Sequence, residues 1–267
     1  MSKLAETVQE HLLTAIENDD LVLPTLPEVA LRIREAAEDE DVSISTLAKV
    51  IARDPALSAR LIKVVNSPML RSAQEVKDLN GAISRLGINY SSNLAIGLVI
   101  EQIFNARSPV VQAKMQDVWT ESMEVAGISY ELCRRYTPLK PDQAALAGLV
   151  HQIGILPILT YAEDFNELLA DPVSLNHVIE RIHPVLGGKI LSAWEFAPAL
   201  AEVPGAHLDL TRQSALVDYI DVVQIARLVR QRDFHRLPDL PACVHLKLGE
   251  ERPLSDQELG VALGLFR

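Results

Sequence analysis

The longest apolar stretch of the chain, AALAGLVHQIGILPILTYA at residues 144–162, approaches the length of a membrane span. It is interrupted by His151, Gln152 and Pro157. Polar and helix-breaking residues of this kind are uncommon inside a lipid-exposed helix. We therefore expect a buried helix, a break at Gly154–Pro157 and a second short element, within a soluble protein that does not enter a membrane.

The apolar content points to packed helices. Hydrophobic residues make up 48% of the 267 residues, aromatic residues only 4%, and Leu, Ala, Val and Ile supply most of the remainder. This balance favours helices over a β-sandwich. Apolar residues recur with helical spacing along most of the chain, and no repeat or alternating strand pattern is evident. The sequence predicts an all-α fold.

Charge and cysteine content restrict the partners and the compartment. The net charge of −11 repels phosphate backbones, so we expect no nucleic-acid partner. The segment DLNGAISRLGINYSSNLAIGLVIEQIF has the outline of a helix-turn-helix, but only Arg85 supplies a cation there, and two packing helices explain it better. Cys133 and Cys243 form no disulfide framework, and the N-terminus lacks a signal peptide, so we expect a cytoplasmic protein.

Several helix ends can be predicted from local residues. Asp54 is suited to cap a helix that begins at Pro55. Asn66 stands where that helix stops, and asparagine tolerates the left-handed conformation that often closes a helix. Ser255 followed by Glu258 predicts a capping box at a C-terminal helix.

The order and the amino-acid sequences of several segments resemble those of the HDOD family, the HD-related output domain of bacterial signalling proteins. The resemblance rests on LPTLPEVALRIREAAEDEDVSISTLAKVIARDPALSARLIKVVNSP, AISRLGINYSSNLAIGLVIEQIF, VWTESMEVAGISYELCRRY, AALAGLVHQIGIL and HPVLGGKILSAWEFAPALAE. It implies an all-α fold whose second half is similar to the HD phosphohydrolase bundle. The family is described as lacking that enzymatic equipment and as serving regulatory roles.

The resemblance also predicts the domain organisation. The polar segment NARSPVVQ at residues 105–112 is the best internal boundary, because long apolar helices flank it. The predicted parts are an N-terminal helix (1–22), an HDOD domain (22–230) with an N-terminal lobe (22–108) and an HD-like lobe (109–230), and a C-terminal extension (231–267).

The HD pattern implies a set of site positions, which we call the relic HD positions: Glu121, His151, Gln152, His183, His207 and Gln224. His151 matches the histidine of the HD pair, and Gln152 replaces its aspartate. A neutral amide brings no negative charge to a divalent cation and cannot act as a base. The resemblance places His183 at a helix-opening histidine.

Other positions of the pattern also depart from it. Glu121 lies near the first histidine of the pattern and His207 near a later one. The late aspartate aligns most naturally with Gln224, although a shift of one turn would bring Asp221 there instead. A complete HD site is therefore not expected, and His151 is explained more simply as a core histidine with a hydrogen-bond partner.

These observations predict a non-catalytic bacterial signalling module that uses no metal and no cofactor. It would bind a signalling protein or a small messenger such as a nucleotide. Two alternatives stay open: a metal-dependent phosphohydrolase of the HD superfamily, and a regulator that binds a nucleotide in the relic cavity without hydrolysing it. No G-x-S-x-G, Walker A or dinucleotide-binding motif suggests another enzyme class. The oligomeric state is left open.

Overall fold

A computed structural model describes residues 3–18, 20–70, 74–249 and 252–266. Every regular element within these residues is a helix, which confirms the all-α prediction. The outer ends of the predicted N-terminal helix and C-terminal extension, at residues 1 and 267, lie outside the described residues. The helices are α1 (Lys3–Glu17), α2 (Glu28–Glu38), α3 (Ile44–Ile51), α4 (Pro55–Val65), α5 (Leu79–Leu86), α6 (Ile88–Ile100), α7 (Pro109–Tyr136), α8 (Pro141–Val150), α9 (Ile155–Ala162), α10 (Asn166–Ala170), α11 (Pro172–Ala193), α12 (Pro198–Ala201), α13 (Val203–Ala206), α14 (Tyr219–Gln231), α15 (Pro241–His245) and α16 (Asp256–Leu263), with 3-10 turns at Glu101–Ile103 and Phe234–Asp239.

The helix ends follow local chemistry with one exception. The Asp54 carboxylate accepts a bond from the Leu57 amide at 3.0 Å, as predicted. Asn66 stands at the end of α4, as expected, but it does not use the left-handed conformation that asparagine tolerates, because its φ is −92° and its ψ is 0°. Asn66 instead exchanges two hydrogen bonds with the backbone of Val76, at 2.7 and 2.9 Å, and so secures the loop that follows α4.

The apolar run is divided between α8 and α9, and its break lies earlier than predicted. The turn occupies residues 151–154, and Pro157 lies in the first turn of α9, where its missing amide leaves no bond unmade. The segment Pro141–Ala162 is long and apolar enough to cross a membrane, but 89% of its apolar window is buried inside the fold. Such burial is typical of a core helix in a soluble protein.

Close helix contacts position the candidate site. A Cβ on Gly148 would lie 2.5 Å from the Ala126 Cα, so α8 packs directly on the backbone of α7. A Cβ on Gly154 would lie 2.0 Å from the His183 carbonyl oxygen, which brings the turn after α8 against α11. A large apolar core extends from Ala5 in α1 to residues beyond α16. The division into two lobes near residues 105–112 stays a prediction.

Candidate functional site

Three of the relic HD positions meet in the interior. His151 follows α8, His207 follows α13, and His183 lies on α11. The ring centroids of His151 and His207 are 5.1 Å apart, and those of His183 and His207 are 5.4 Å apart. The expectation that His183 opens a helix is wrong, because α11 begins eleven residues earlier at Pro172. We call these three residues the histidine cluster.

Glycine permits the approach that forms the histidine cluster. A Cβ on Gly187 would lie 2.4 Å from the Pro204 Cβ, so only a residue without a side chain lets α11 and α13 come this close. Pro204 is three residues before His207, and Gly187 is one turn after His183. The contact between α11 and α13 therefore places the two imidazoles together.

Backbone carbonyls fix the tautomer of each ring. His151 Nδ1 is 2.7 Å from the Gly148 oxygen, His183 Nδ1 is 2.8 Å from the Ile179 oxygen, and His207 Nδ1 is 2.9 Å from the Pro204 oxygen. A carbonyl oxygen only accepts, so each Nδ1 carries the proton and each Nε2 in a neutral ring is an acceptor. All three Nε2 atoms are buried and lack a hydrogen-bond partner within the described part of the chain.

The environment holds the cluster in its neutral form. His151 and His207 are fully buried and His183 is 4% exposed. Burial lowers the pKa of His183 to about 4 and lowers the pKa of His151 and of His207 well below the usual range. The positive charge of Arg227 lowers all three pKa values further. The rings are therefore uncharged at pH 7.

Gln152 and Glu121 lie together beside the cluster. The Gln152 amide nitrogen donates to a Glu121 carboxylate oxygen at 3.4 Å, and Arg230 lies 3.5 Å from the same oxygen. Arg230 also donates to Glu124 at 2.7 Å. The one acidic residue among the relic HD positions is thus already engaged by an amide and by a guanidinium.

Gln224 and Asp221, the two residues considered for the position of the late aspartate, form hydrogen bonds away from the histidine cluster. Gln224 donates its amide to the backbone oxygens of Asp209 and Ala206, at 2.6 and 3.3 Å, and so secures the segment around His207. Asp221 accepts a bond from His245 at 2.8 Å and belongs to the capping box at the start of α14. Neither residue supplies a free carboxylate to the histidine cluster.

Sequence reasoning missed Arg227, which is central to the site. It lies on α14 and lines a pocket of about 570 Å³ together with Gln152, His183, Glu121 and Arg181. Arg227 follows Gln224 by three residues, so the two are neighbours on the surface of α14. That spacing was the available signal, because residues three apart on a helix are neighbours.

The HD fold implies a divalent metal, and the residues present do not fit one. Nowhere in the described ranges do three or more His, Cys, Asp or Glu side chains lie where they could hold a metal ion. The imidazoles pack edge to face against one another, and Glu121 is the only carboxylate among the relic positions. The charge of the half-buried Arg227 would also repel a divalent cation.

A model of the HDOD domain matches residues 23–210, which is more than half of the chain. The chain belongs to the HDOD family. This result confirms the resemblance drawn from the quoted segments. The HDOD match ends before α14, so Arg227 and Arg230 lie outside the matched range.

Two solved structures share this fold over nearly the whole chain. A protein from Shewanella amazonensis, named as a candidate metal-dependent phosphohydrolase, is 29% identical with a TM-score of 0.88 and covers 98% of this chain and 99% of its own. An HDOD protein of unknown function from Geobacter sulfurreducens is 21% identical with a TM-score of 0.71, over 97% and 94% of the two chains.

Two further relatives match over only part of their own length. A candidate signal transduction protein from Marinobacter aquaeolei is 19% identical with a TM-score of 0.62, over 98% of this chain and 66% of its own. An uncharacterised protein from Treponema pallidum (strain Nichols) is 24% identical over 207 residues, or 72% of this chain. The match spans only 37% of the length of that protein.

Proposed function

We propose that this HDOD protein is a non-catalytic signal-transduction module that acts by binding another protein or a small messenger such as a nucleotide. The observation that carries the proposal is Arg227, a cation that lines one pocket with Glu121, Gln152 and His183, three of the positions where the HD pattern implies a metal site. Catalysis by an HD-type site requires a cation that activates water and stabilises the phosphoryl oxygens. The guanidinium of an arginine stays protonated, so it cannot turn a bound water molecule into a hydroxide as a metal ion does.

The remaining substitutions support the same conclusion. Gln152 brings no charge, Gln224 uses its amide to bond backbone carbonyls, and Glu121 is paired with Arg230. A divalent cation would have to displace these contacts and approach Arg227 as well. The two cysteines, Cys133 and Cys243, are free and buried, which suits the cytoplasm that we propose as the compartment.

A hydrolysis assay tests the proposal. The purified full chain is incubated with p-nitrophenyl phosphate, bis-p-nitrophenyl phosphate and cyclic dinucleotides, each with added Mn²⁺, Fe²⁺, Ni²⁺ or Zn²⁺. We expect no turnover above that of a Gln152→Leu variant, which removes the amide beside the histidine cluster. Turnover that depends on the metal and is lost in a His151→Ala variant that still folds would contradict the proposal.

A metal-dependent phosphohydrolase is the second candidate, and one observation favours it. The three imidazoles donate Nδ1–H to carbonyl oxygens and keep Nε2 unprotonated, which is how histidines are usually prepared to ligate a metal. A double variant, Gln152→Asp with Arg227→Met, separates the candidates. If Arg227 and the missing carboxylate exclude the metal, the double variant should gain affinity for Mn²⁺ that the parent chain lacks.

A third candidate, a regulator that binds a nucleotide in the relic cavity, is favoured by the pocket beside the cluster. Its volume of about 570 Å³ is within the range of small-molecule sites, and Arg181 and Arg227 could face a phosphate. Calorimetry with nucleoside monophosphates tests it. Binding that is lost in Arg181→Ala but is retained in Arg53→Ala, an exposed arginine on another helix end, would support this candidate.

A further inference from the structure

Two apolar grooves flank one short segment far along the chain from the relic HD positions. One groove, of about 960 Å³, lies between α11 and the α12–α13 pair, and the other, of about 470 Å³, lies against α9. Leu23 lines both grooves, so they meet at the segment 21–24. We call this segment and its two grooves the apolar band.

Large apolar side chains are exposed along the apolar band. Val22 is 89% exposed and Val185, which lines the larger groove, is 48% exposed. Phe165 is 40% exposed and stacks at 4.5 Å on Tyr161, which lines the smaller groove. Exposed large apolar side chains beside connected grooves are typical of an interaction site.

The segment that carries Val22 has a defined position. The Trp194 indole nitrogen donates to the Pro24 carbonyl oxygen at 2.9 Å and ties the segment to the end of α11. The Leu21 amide donates to the Ala15 carbonyl oxygen of α1 at 3.3 Å. A partner would therefore meet a preformed surface, which lowers the entropy lost on binding.

Carboxylates border the apolar band on both sides. Asp20 and Asp164 line the smaller groove, and Glu202 lines the larger one. Asp164 lies 3.1 Å from Arg107, an exposed arginine outside the groove lining. Asp20 and Glu202 are themselves exposed.

The cations that line the larger groove are engaged within the protein. Lys189 donates its ammonium group to the carbonyl oxygen of Ile16 at 2.9 Å. Arg212 is paired with Asp218 and with Asp221. Lys189 keeps its charge, because a carbonyl oxygen does not neutralise an ammonium group. With the ion-pair partners included, carboxylates still outnumber cations at the border of the band, in a chain whose net charge is −11.

We propose that the apolar band docks an amphipathic helix of a partner protein whose apolar face fills the grooves and whose flanks carry Lys or Arg. Two glycines, Gly188 and Gly205, line the larger groove and let a helix backbone approach closely. A second copy of the chain fits poorly, because two bodies of charge −11 repel each other. The inference rests on the proposed role as a protein-binding module.

Two designed peptides test the inference with the full chain. Both place Leu on one helical face, and one carries Lys on its flanks whereas the other carries Glu at the same positions. Fluorescence anisotropy should show that the Lys peptide binds at least about tenfold more tightly than the Glu peptide. The difference should shrink as salt is raised, because screening weakens the contacts with the acidic border. Equal binding of both peptides would overturn the inference.

A matched pair of variants separates docking from diffuse attraction to an acidic protein. Val22→Lys changes the apolar band, and Val244→Lys makes the same change at a residue that is 72% exposed on α15. Both side chains are exposed, so melting temperatures should stay unchanged. Val22→Lys should weaken the Lys peptide about tenfold or more, and Val244→Lys by less than about twofold. Equal weakening by both variants would overturn the inference.

Two other occupants would also be revealed. A dimer seen by sedimentation that Val22→Lys dissociates would assign the apolar band to a second copy, and the inference would fail. The second outcome is that the chain binds phosphatidylcholine vesicles and neither peptide. If Val22→Lys abolished that vesicle binding, the apolar band would be assigned to a lipid surface and the inference would fail. The hydrolysis assay is independent of all these outcomes, so failure here leaves the proposed non-catalytic role standing.

Discussion

The histidine cluster predicts an unusual loss of stability in mild acid. When the chain is folded, burial and Arg227 lower the pKa of His183 from 6.5 to about 4. The folded protein therefore keeps a neutral ring at a pH where the unfolded chain binds a proton. Stability is complete above pH 6.5, starts to fall as the pH drops through 6.5, and the loss is complete near pH 4.

The size of the loss follows from these pKa values. Between pH 7 and pH 5, preferential protonation of the unfolded chain at His183 alone costs about 2 kcal/mol. Burial also lowers the pKa of His151 and of His207 well below the usual range, so both rings add to the loss in the same direction. A domain of this kind is typically stable by about 5–15 kcal/mol, so the effect would be large.

Urea unfolding at pH 7, 6 and 5 measures this loss. His183→Asn should flatten the pH dependence by about 2 kcal/mol, because asparagine does not titrate and its amide can still donate to the Ile179 oxygen. A free energy of unfolding that stays constant or rises from pH 7 to pH 5 would refute the reasoning.

Further predictions concern packing and helix ends. Asp54→Ala should lower the free energy of unfolding by about 1 kcal/mol in a urea titration, and partner binding should fall only as far as folding falls. Abolished binding at unchanged stability would show that this helix end is a recognition surface. Asn66→Ala should cost about 1–2 kcal/mol in the same titration, because two hydrogen bonds to the loop are lost. Gly127→Ala should cost about 1–3 kcal/mol by thermal unfolding, since its Cβ would lie 2.0 Å from the Ala262 oxygen and displace α16. Limited proteolysis near residues 105–115 should not release two halves that are each stable, because we expect the lobes to share a core. Two independently folded fragments would contradict tight packing of the lobes.

The sequence was sufficient for features that depend on local chemistry. Asp54 caps α4 because a carboxylate at that point bonds the free amides of the first turn, and this needs no tertiary information. Ser255 and Glu258 form the predicted capping box for the same reason. The all-α fold followed from apolar spacing together with the scarcity of aromatic residues.

Features that depend on packing were beyond the sequence. Asn66 is not left-handed, and its side chain forms two hydrogen bonds with the backbone of Val76, ten residues later. His183 lies inside a long helix although Pro184 follows it, a position where proline usually indicates a helix start. Arg227 lies outside the familiar pattern of HD ligands, and its place in the pocket depends on how α14 packs against the other helices.

The central claim is that the histidine cluster and Arg227 do not hold a catalytic metal, and the metal content of the protein tests it most directly. The full chain is purified without chelators from cells supplied with Mn, Fe, Ni and Zn, and its metals are measured by elemental analysis. We predict far less than one metal ion per chain. One or more tightly bound ions per chain, lost together with a His151→Ala substitution that leaves the fold intact, would contradict the account.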